Sequence, residues 1–180
     1  MKTLAFAASN SRNSINKALV TYAAKLLSEQ VMETEIDLVD LNDFAAPLYS
    51  IDIEMEDGIP QAAKDLKARI AAADQVLISL AEHNGSYTAA YKSIFDWMSR
   101  LEGKVYEGKP IVLLSTSPGG RGGASVKAQA SASIPFFGGE VKASLSVPGF
   151  GQVFDTAKGE LTDPDLHAEL LKTLAAFKAD

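Results

Sequence analysis

The stretch from Ser9 to Asn16 carries three serines, three asparagines and one arginine, with no acidic residue among them. It follows a short apolar run and leads into an amphipathic stretch, so it sits where a strand passes into a helix. A helix N-terminus favours an anion through its dipole and its unpaired N–H groups. Hydroxyl and amide side chains complete such a site for a phosphate. A lone cap would need only one residue, such as Asn13 or Ser14. The same segment is neither G-x-G-x-x-G nor G-x-x-x-x-G-K-[ST], which disfavours a dinucleotide fingerprint and a P-loop. No acidic pair ends the first apolar run, which argues against a magnesium-dependent receiver domain.

Two further loops follow apolar runs. Ala81 to Tyr87 is polar, contains Gly85, and offers Asn84 and backbone amides to the edge of a flat heteroaromatic ring. Ser115 to Gly123 places glycines at 119, 120, 122 and 123, which lets backbone approach a ligand or adopt positive φ. Either loop alone is also readable as an ordinary turn.

The composition narrows the chemistry. There are no cysteines and two histidines, His83 and His167, far apart in sequence. Thiolate nucleophiles, disulfides, iron–sulfur ligation and cysteine-based zinc sites are excluded, and no metal site is expected. Redox chemistry therefore needs a bound organic cofactor. The formal net charge of −6 argues against nucleic acid or an anionic membrane as partner. No G-x-S-x-G elbow is present. The N-terminal apolar run reads as a strand, not a leader, so the expected compartment is the cytoplasm.

The elements that must hold these loops alternate between strand and helix. Strands are predicted over 3–8, 33–41, 75–80, 111–116 and 141–147. Helices are predicted over 16–27, 59–72 with Pro60 in its first turn, 87–101, 122–134, and from Pro164 to Lys178 behind an Asp163 cap. The segment 42–58 is acidic and reads as a loop with some local structure. This alternation predicts an α/β class with a parallel sheet in a single domain spanning residues 1–180. The first, third and fourth strands are continuously apolar, whereas the second and fifth alternate. Placing the alternating pair at the edges gives the order 2-1-3-4-5. Ligands in such sheets bind beyond the carboxyl ends of the strands, near the switch between the first and third.

Taken together, these residues resemble the NADPH-dependent FMN reductase family of the flavodoxin superfamily, over most of the chain. The family's phosphate loop, roughly G-S-x-R-x-x-S-x-N, is matched at Ser9, Ser14 and Asn16. Ala8 stands for its Gly, Ser11 for its Arg, and Arg12 is displaced by one. The ring loop, roughly P-E-Y-N-x-S followed by a helix, is matched at Glu82, Asn84, Ser86, Lys92, Asp96 and Trp97, with Ala81 for Pro and His83 for Tyr. Gly119, Gly122 and Gly123 match a glycine turn, and Pro47, Leu48, Tyr49 and Asp52 a weaker segment.

The resemblance implies a flavodoxin-like three-layer α/β/α sandwich binding FMN. Ser9, Ser11, Ser14, Ile15 and Asn16 would hold the phosphate, with Arg12 turning inward. Glu82, His83, Asn84, Gly85, Ser86 and Tyr87, with Ser117, Gly119 and Gly120, would lie against the ring. The implied activity uses NADPH or NADH as co-substrate and passes electrons to a quinone, a flavin or a similar acceptor. No single catalytic residue is expected; His83 is the one candidate for moving a proton near the ring, and His167 is expected to be structural. The alternatives are a flavodoxin-type electron carrier, with 52–57 as an acidic docking surface, and a flavin-free scaffold. In the 87–101 helix, Tyr87, Ala90, Tyr91, Ile94, Phe95, Trp97, Met98 and Leu101 share a face wider than sheet packing needs, opposite Lys92, Asp96, Ser99 and Arg100. With the resemblance, this implies a homodimer across that helix, or a tetramer built from such dimers.

Overall fold

The computed structural model describes residues 1–178. Five parallel strands form one sheet: β1 (Lys2–Ala8), β2 (Glu35–Val39), β3 (Gln75–Leu80), β4 (Pro110–Thr116) and β5 (Glu140–Val147). Their order is β2-β1-β3-β4-β5, as the strand patterns predicted. All of β3 and nearly all of β1 and β4 are buried, because helices cover both faces. The edge strands are wetter. On β2 the apolar side is only partly covered and Leu38 stays 43% exposed, while Asp37 on the other side pairs with Lys2 and Arg69. A register shift between Ile111 and Val112 leaves Lys142 as an extra residue in β5.

Two apolar layers sandwich the sheet. One packs it against α1 (Ile15–Leu26) and α6 (Pro164–Ala175) through Leu19, Val20, Ala23, Leu170 and Leu174. The other packs it against α3 (Gln61–Ala72), α4 (Ala89–Met98) and α5 (Ala124–Ser133) through Leu66, Ile70, Ile94, Trp97, Val126 and Ala130. This is the three-layer, flavodoxin-like α/β/α architecture. Asp163 caps α6 and Pro164 opens it, as expected. His167 Nδ1 lies 2.7 Å from Tyr22 Oη and ties α6 to α1.

Several boundaries differ from the predicted ones for identifiable reasons. The 87–101 helix is shorter at both ends. Ser86 and Tyr87 pair antiparallel with Glu82 and His83, and Asn84 and Gly85 both take positive φ between them. An Asn-Gly pair with two left-handed residues is the type I′ hairpin signal, which outweighs the helical period. At the other end the helix stops at Met98, and the buried ammonium of Lys67 collects the carbonyls of Leu101, Glu102 and Gly103 in the turn beyond it. Gly122 and Gly123 are left-handed and precede α5 rather than open it. Pro60 likewise immediately precedes α3. The α1 helix runs on through one wider turn, Leu27–Val31, and β2 is four residues shorter than its apolar alternation.

The segment after β2 is a strap with its own structure. It contains a 3₁₀ turn, Leu41–Phe44, and a short helix α2 (Ile51–Asp57) with no buried residue. It is fastened to α4. The Pro47 carbonyl accepts from Ser93 Oγ at 2.9 Å and Trp97 Nε1 at 2.7 Å. Tyr49 packs edge-on to Trp97, and Arg100 Nε donates to Glu54 Oε2 at 2.9 Å. Arg100, expected on a solvated face, thus serves with Ser93 as an anchor, and the strap takes up part of the excess width of α4.

Asp40, where β2 meets the strap, accepts the Asn42 N–H at 2.9 Å and binds the Lys17 ammonium from α1. The Lys17 contact and then the Asn42 bond hold its carboxyl below the usual carboxylate range. A depressed folded-state pKa gives stability that is present above the unfolded value, near 3.9, and is lost as pH falls through the folded value. Asp40→Asn keeps the acceptor for Asn42 but removes the charge. It should lower the urea midpoint at neutral pH and leave a shallower loss of stability below about pH 4 than in the parent. Parallel acid-dependent curves for the two proteins would contradict this assignment.

Candidate functional site

At the carboxyl ends of β1, β3 and β4 the chain leaves a cleft of about 220 Å³. It lies at the switch point where connections leave β1 in one direction and β3 in the other. The β1 loop contributes Ser9, Ser11, Asn13, Ser14, Ile15 and Asn16. The β3 loop contributes Ala81, Glu82 and His83, and the β4 loop Thr116, Ser117 and Pro118.

One buried carboxamide holds these three loops together. Asn16 is 2% exposed. Its Oδ1 accepts from Ser79 Oγ in β3 at 2.8 Å and from the Thr116 N–H in β4 at 3.0 Å, and its Nδ2 donates to the Thr116 carbonyl at 3.1 Å. The side chain expected at a phosphate is therefore held between strands, with its oxygen and one of its two N–H groups engaged. A second bond, Thr88 Oγ1 to the Ala8 carbonyl at 3.0 Å, fixes the end of β1 to the cap of α4.

The β1 loop closes as a turn, with the Ser14 N–H donating to the Ser11 carbonyl and the Ser11 N–H to Ser9 Oγ. Ser14 caps α1 by accepting the Lys17 N–H at 3.3 Å. Among the described residues, the N–H groups of Ile15 and Asn16 have no acceptor within the chain. Two free donors at the positive end of a twelve-residue helix, beside the hydroxyls of Ser9 and Ser11, form an anion seat. No Lys or Arg lines the cleft, and Arg12 is exposed beside it.

The other end of the cleft is flatter, bounded by Ala81, the hairpin 82–87 and the 117–118 turn. Glu82 is the one carboxylate in the lining, and its Oε2 already accepts the Val126 N–H at 3.0 Å, capping α5. His83 is exposed at the rim. Asn84 and Gly85 form the tip of the hairpin and do not line the cleft. Ser86 turns to Gln129, and Tyr87 Oη to Ser133 Oγ at 3.0 Å. In the glycine turn, a Cβ on Gly122 would lie 2.8 Å from the Val147 carbonyl carbon and the Pro148 nitrogen, so this residue serves close packing onto β5. Gly119 and Gly120 have open space instead, but lie outside the lining.

The structure thus gathers Ser9, Ser11, Ser14, Ile15 and Asn16 with Glu82, His83 and Ser117, and leaves Arg12, Asn84 to Tyr87, Gly119 and Gly120 outside the lining. Asn13, Ala81, Thr116 and Pro118, which lie within the three expected loops but were not singled out as cofactor contacts, also line the cleft. Each adjoins an expected residue at a strand end, which was the available signal.

The donor set fits FMN. A phosphate monoester needs N–H and O–H donors and no competing carboxylate, and the β1 loop meets both conditions. The other end offers Ala81, Ser117 and Pro118 to a ring, beside Glu82 and His83. The comparisons with known proteins agree. Residues 1–149 match the model of the NADPH-dependent FMN reductase family. The chain belongs to that family. The quinone reductase of Escherichia coli K12 is 32% identical over 136 residues, 73% of this chain and 71% of that one. An NAD(P)H-dependent FMN reductase of Pseudomonas aeruginosa is 29% identical over 99% of this chain and 94% of its own. Among solved structures, the flavoenzyme NAD(P)H:(acceptor) oxidoreductase FerB of Paracoccus denitrificans superposes with a TM-score of 0.75 at 26% identity, covering 98% of this chain and 94% of that one. The protein is an oxidoreductase that uses FMN and a nicotinamide co-substrate. Family membership sets aside the electron carrier and the flavin-free scaffold. No described helix is long and apolar enough to cross a membrane.

Asn16→Leu keeps the volume of the side chain but strands the Ser79 hydroxyl and both backbone groups of Thr116 in a buried place. At about 1–3 kcal/mol for each unsatisfied group, it should cost at least about 2 kcal/mol in urea unfolding and release FMN on gel filtration. A variant as stable as the parent, with flavin retained, would show that the carboxamide does not organise the cleft.

Proposed function

We propose that the chain reduces quinones at the expense of NADPH or NADH, with the FMN phosphate at the N-terminus of α1 and the ring between the 82–87 hairpin and the 117–120 turn. The cleft itself carries the reading: one end has free helix N–H groups and hydroxyls with no acid, and the other is bordered by the loops after β3 and β4. The names of the quinone reductase and of the acceptor oxidoreductase to which the chain is similar support the choice of acceptor.

When bound, FMN supplies two-electron transfer, taken from the nicotinamide and delivered to the acceptor. The chain's own residues bind, orient and tune. Ile15 and Asn16 N–H groups, with Ser9, Ser11 and Ser14, hold the phosphate. Backbone at Ala81 and Ser117 would border the ring edge, where their N–H dipoles would favour the negative charge that arrives with electrons. His83 stands at the exposed rim, where it exchanges protons with water and the acceptor. Donor and acceptor use the same open face in turn, which requires no covalent nucleophile.

A homodimer through α4 belongs to the same proposal, and a tetramer is a pair of such dimers. Beside α4 the strap exposes Leu48 at 70%, Ile51 at 53% and Met55 at 81%. Clustered apolar exposure of this kind marks contact surfaces. Cytoplasmic residence is supported by a chain without cysteines, which gains nothing from an oxidising compartment.

The purified protein, reconstituted with FMN, should oxidise NADPH or NADH promptly with a benzoquinone, with parallel double-reciprocal lines, and sediment as a dimer at micromolar concentration. Ser11→Asp puts a carboxylate into the anion seat. It should raise the FMN dissociation constant at least about tenfold, equivalent to about 1.4 kcal/mol, while riboflavin binding changes little. Equal weakening of both flavins would place the phosphate elsewhere.

A further inference from the structure

Ser115 follows the apolar run Ile111–Leu114 near the end of β4 and is 0% exposed. A buried hydroxyl among apolar neighbours needs a partner, and this one has two. Its Oγ donates to the Gly122 carbonyl at 2.7 Å and lies 2.9 Å from Ser146 Oγ in β5. A serine has one hydroxyl proton, and here Gly122 receives it, so Ser146 is the donor in the second contact. The glycine turn returns directly onto Ser115: a Cβ on Gly123 would lie 3.0 Å from Ser115 Cβ.

The chain after β5 fastens the same turn from its other side. The Phe150 N–H donates to the Ser117 carbonyl at 3.1 Å, and the Gly149 N–H to the Gly119 carbonyl at 3.0 Å. The turn is therefore held by carbonyls, those of Ser117, Gly119 and Gly122. Among the described residues, the N–H groups of Gly119, Gly120 and Arg121 have no acceptor within the chain. A second observation concerns the same stretch. Neither Gly119 nor Gly120 has a positive φ, and neither is crowded: a Cβ on Gly120 would meet nothing within 4 Å, and one on Gly119 only Ser117 Oγ at 4.0 Å. The chain itself does not require glycine at these two positions. Bare backbone with free N–H groups is what close approach of a ligand requires.

We infer that Ser115 is a positioning residue for the flavin reaction: its hydroxyl, through the Gly122 carbonyl, holds the turn so that the N–H groups of Gly119 to Arg121 stand at the edge of the ring that becomes electron-rich on reduction. The inference rests on the ring site proposed above. Oriented N–H dipoles favour arriving negative charge most when they are fixed beforehand and need not reorganise. Ser115 is buried and touches neither flavin nor acceptor, so it acts only through the turn. Loss of its hydroxyl frees the turn at its base, and the reduced flavin is weakened more than the oxidised one. Ser146 stands one bond further away. Its loss leaves the bond from Ser115 to Gly122 in place.

The ¹⁵N-labelled, FMN-loaded protein should be compared by NMR in its oxidised and dithionite-reduced states, with the flavin's reduction potential measured alongside. In the parent, the amides of Gly119, Gly120 and Arg121 should move downfield on reduction. Ser115→Ala should weaken reduced FMN about tenfold more than oxidised FMN, which lowers the two-electron potential by about 30 mV. The advantage of FMN over riboflavin should stay as in the parent, because the anion seat is untouched. Ser146→Ala should keep the parent's potential. If Ser115→Ala fails to fold, Ser115→Cys, which fills the space with a weak donor, should show the same lowered potential. Three results overturn the inference: a parental potential in the Ser115 variant, an equal shift in Ser146→Ala, or turn amides that respond to oxidised FMN but not to its reduction. Turn amides that ignore FMN in both states would instead remove the proposed ring site, and the inference with it.

Discussion

The carboxamide of Asn16 joins three elements that are otherwise far apart in sequence. It reaches from the first turn of α1 to Ser79 in β3 and to both backbone groups of Thr116 at the end of β4. Parallel strands need long crossovers, so their carboxyl ends are not brought into register by any tight turn. A side chain with one double acceptor and one donor, wholly buried among their ends, sets that register directly. Because Asn16 is also the second residue of α1, the same bonds fix the direction in which the helix's free N–H groups face. The anion seat and the strand ends are thereby one rigid unit, which is what a cofactor site placed on loops requires.

Around this unit the remaining loops are held from outside. Glu82, Ser86 and Tyr87 bond to Val126, Gln129 and Ser133, residues spaced along one face of α5. That helix buries only Val126 and Ala130 in the core, and these polar contacts tie it to the hairpin. Its serine-rich sequence, which looked like a weak helix, is the complement of the hairpin. The strap after β2 is fastened to α4 in a comparable way, through Pro47, Tyr49 and Glu54. The cleft thus rests on polar stitching at its rim and on apolar layers beneath.

Much of this was legible in the sequence. The continuous and alternating apolar runs gave the strand order, and the polar, acid-free run after β1 coincides with the free N–H groups at the start of α1. Three things were not legible. Periodicity continued the 87–101 pattern through residues that the Asn84-Gly85 turn had already assigned to a hairpin, since a short-range turn signal and a helical period compete over the same residues. The role of Asn16 depends on partners 63 and 100 residues away, which no local pattern encodes. The glycines after β4 divide by environment: Gly122 and Gly123 are required by packing and positive φ, and Gly119 and Gly120 have free space, a distinction that needs coordinates. The wide apolar face of α4 similarly reads as a subunit contact until the strap and Phe137 are seen to cover part of it.

The central claim is that the cofactor's phosphate sits on the N–H groups of Ile15 and Asn16. The most direct measurement follows the amide resonances of the ¹⁵N-labelled protein as FMN, and separately riboflavin, is added. FMN should move the Ile15 and Asn16 amides strongly downfield and perturb the 81–87 and 117–120 segments. Riboflavin should perturb only the latter two. Ile15 and Asn16 resonances that respond alike to both flavins, or to neither, would contradict the account and move the phosphate away from α1.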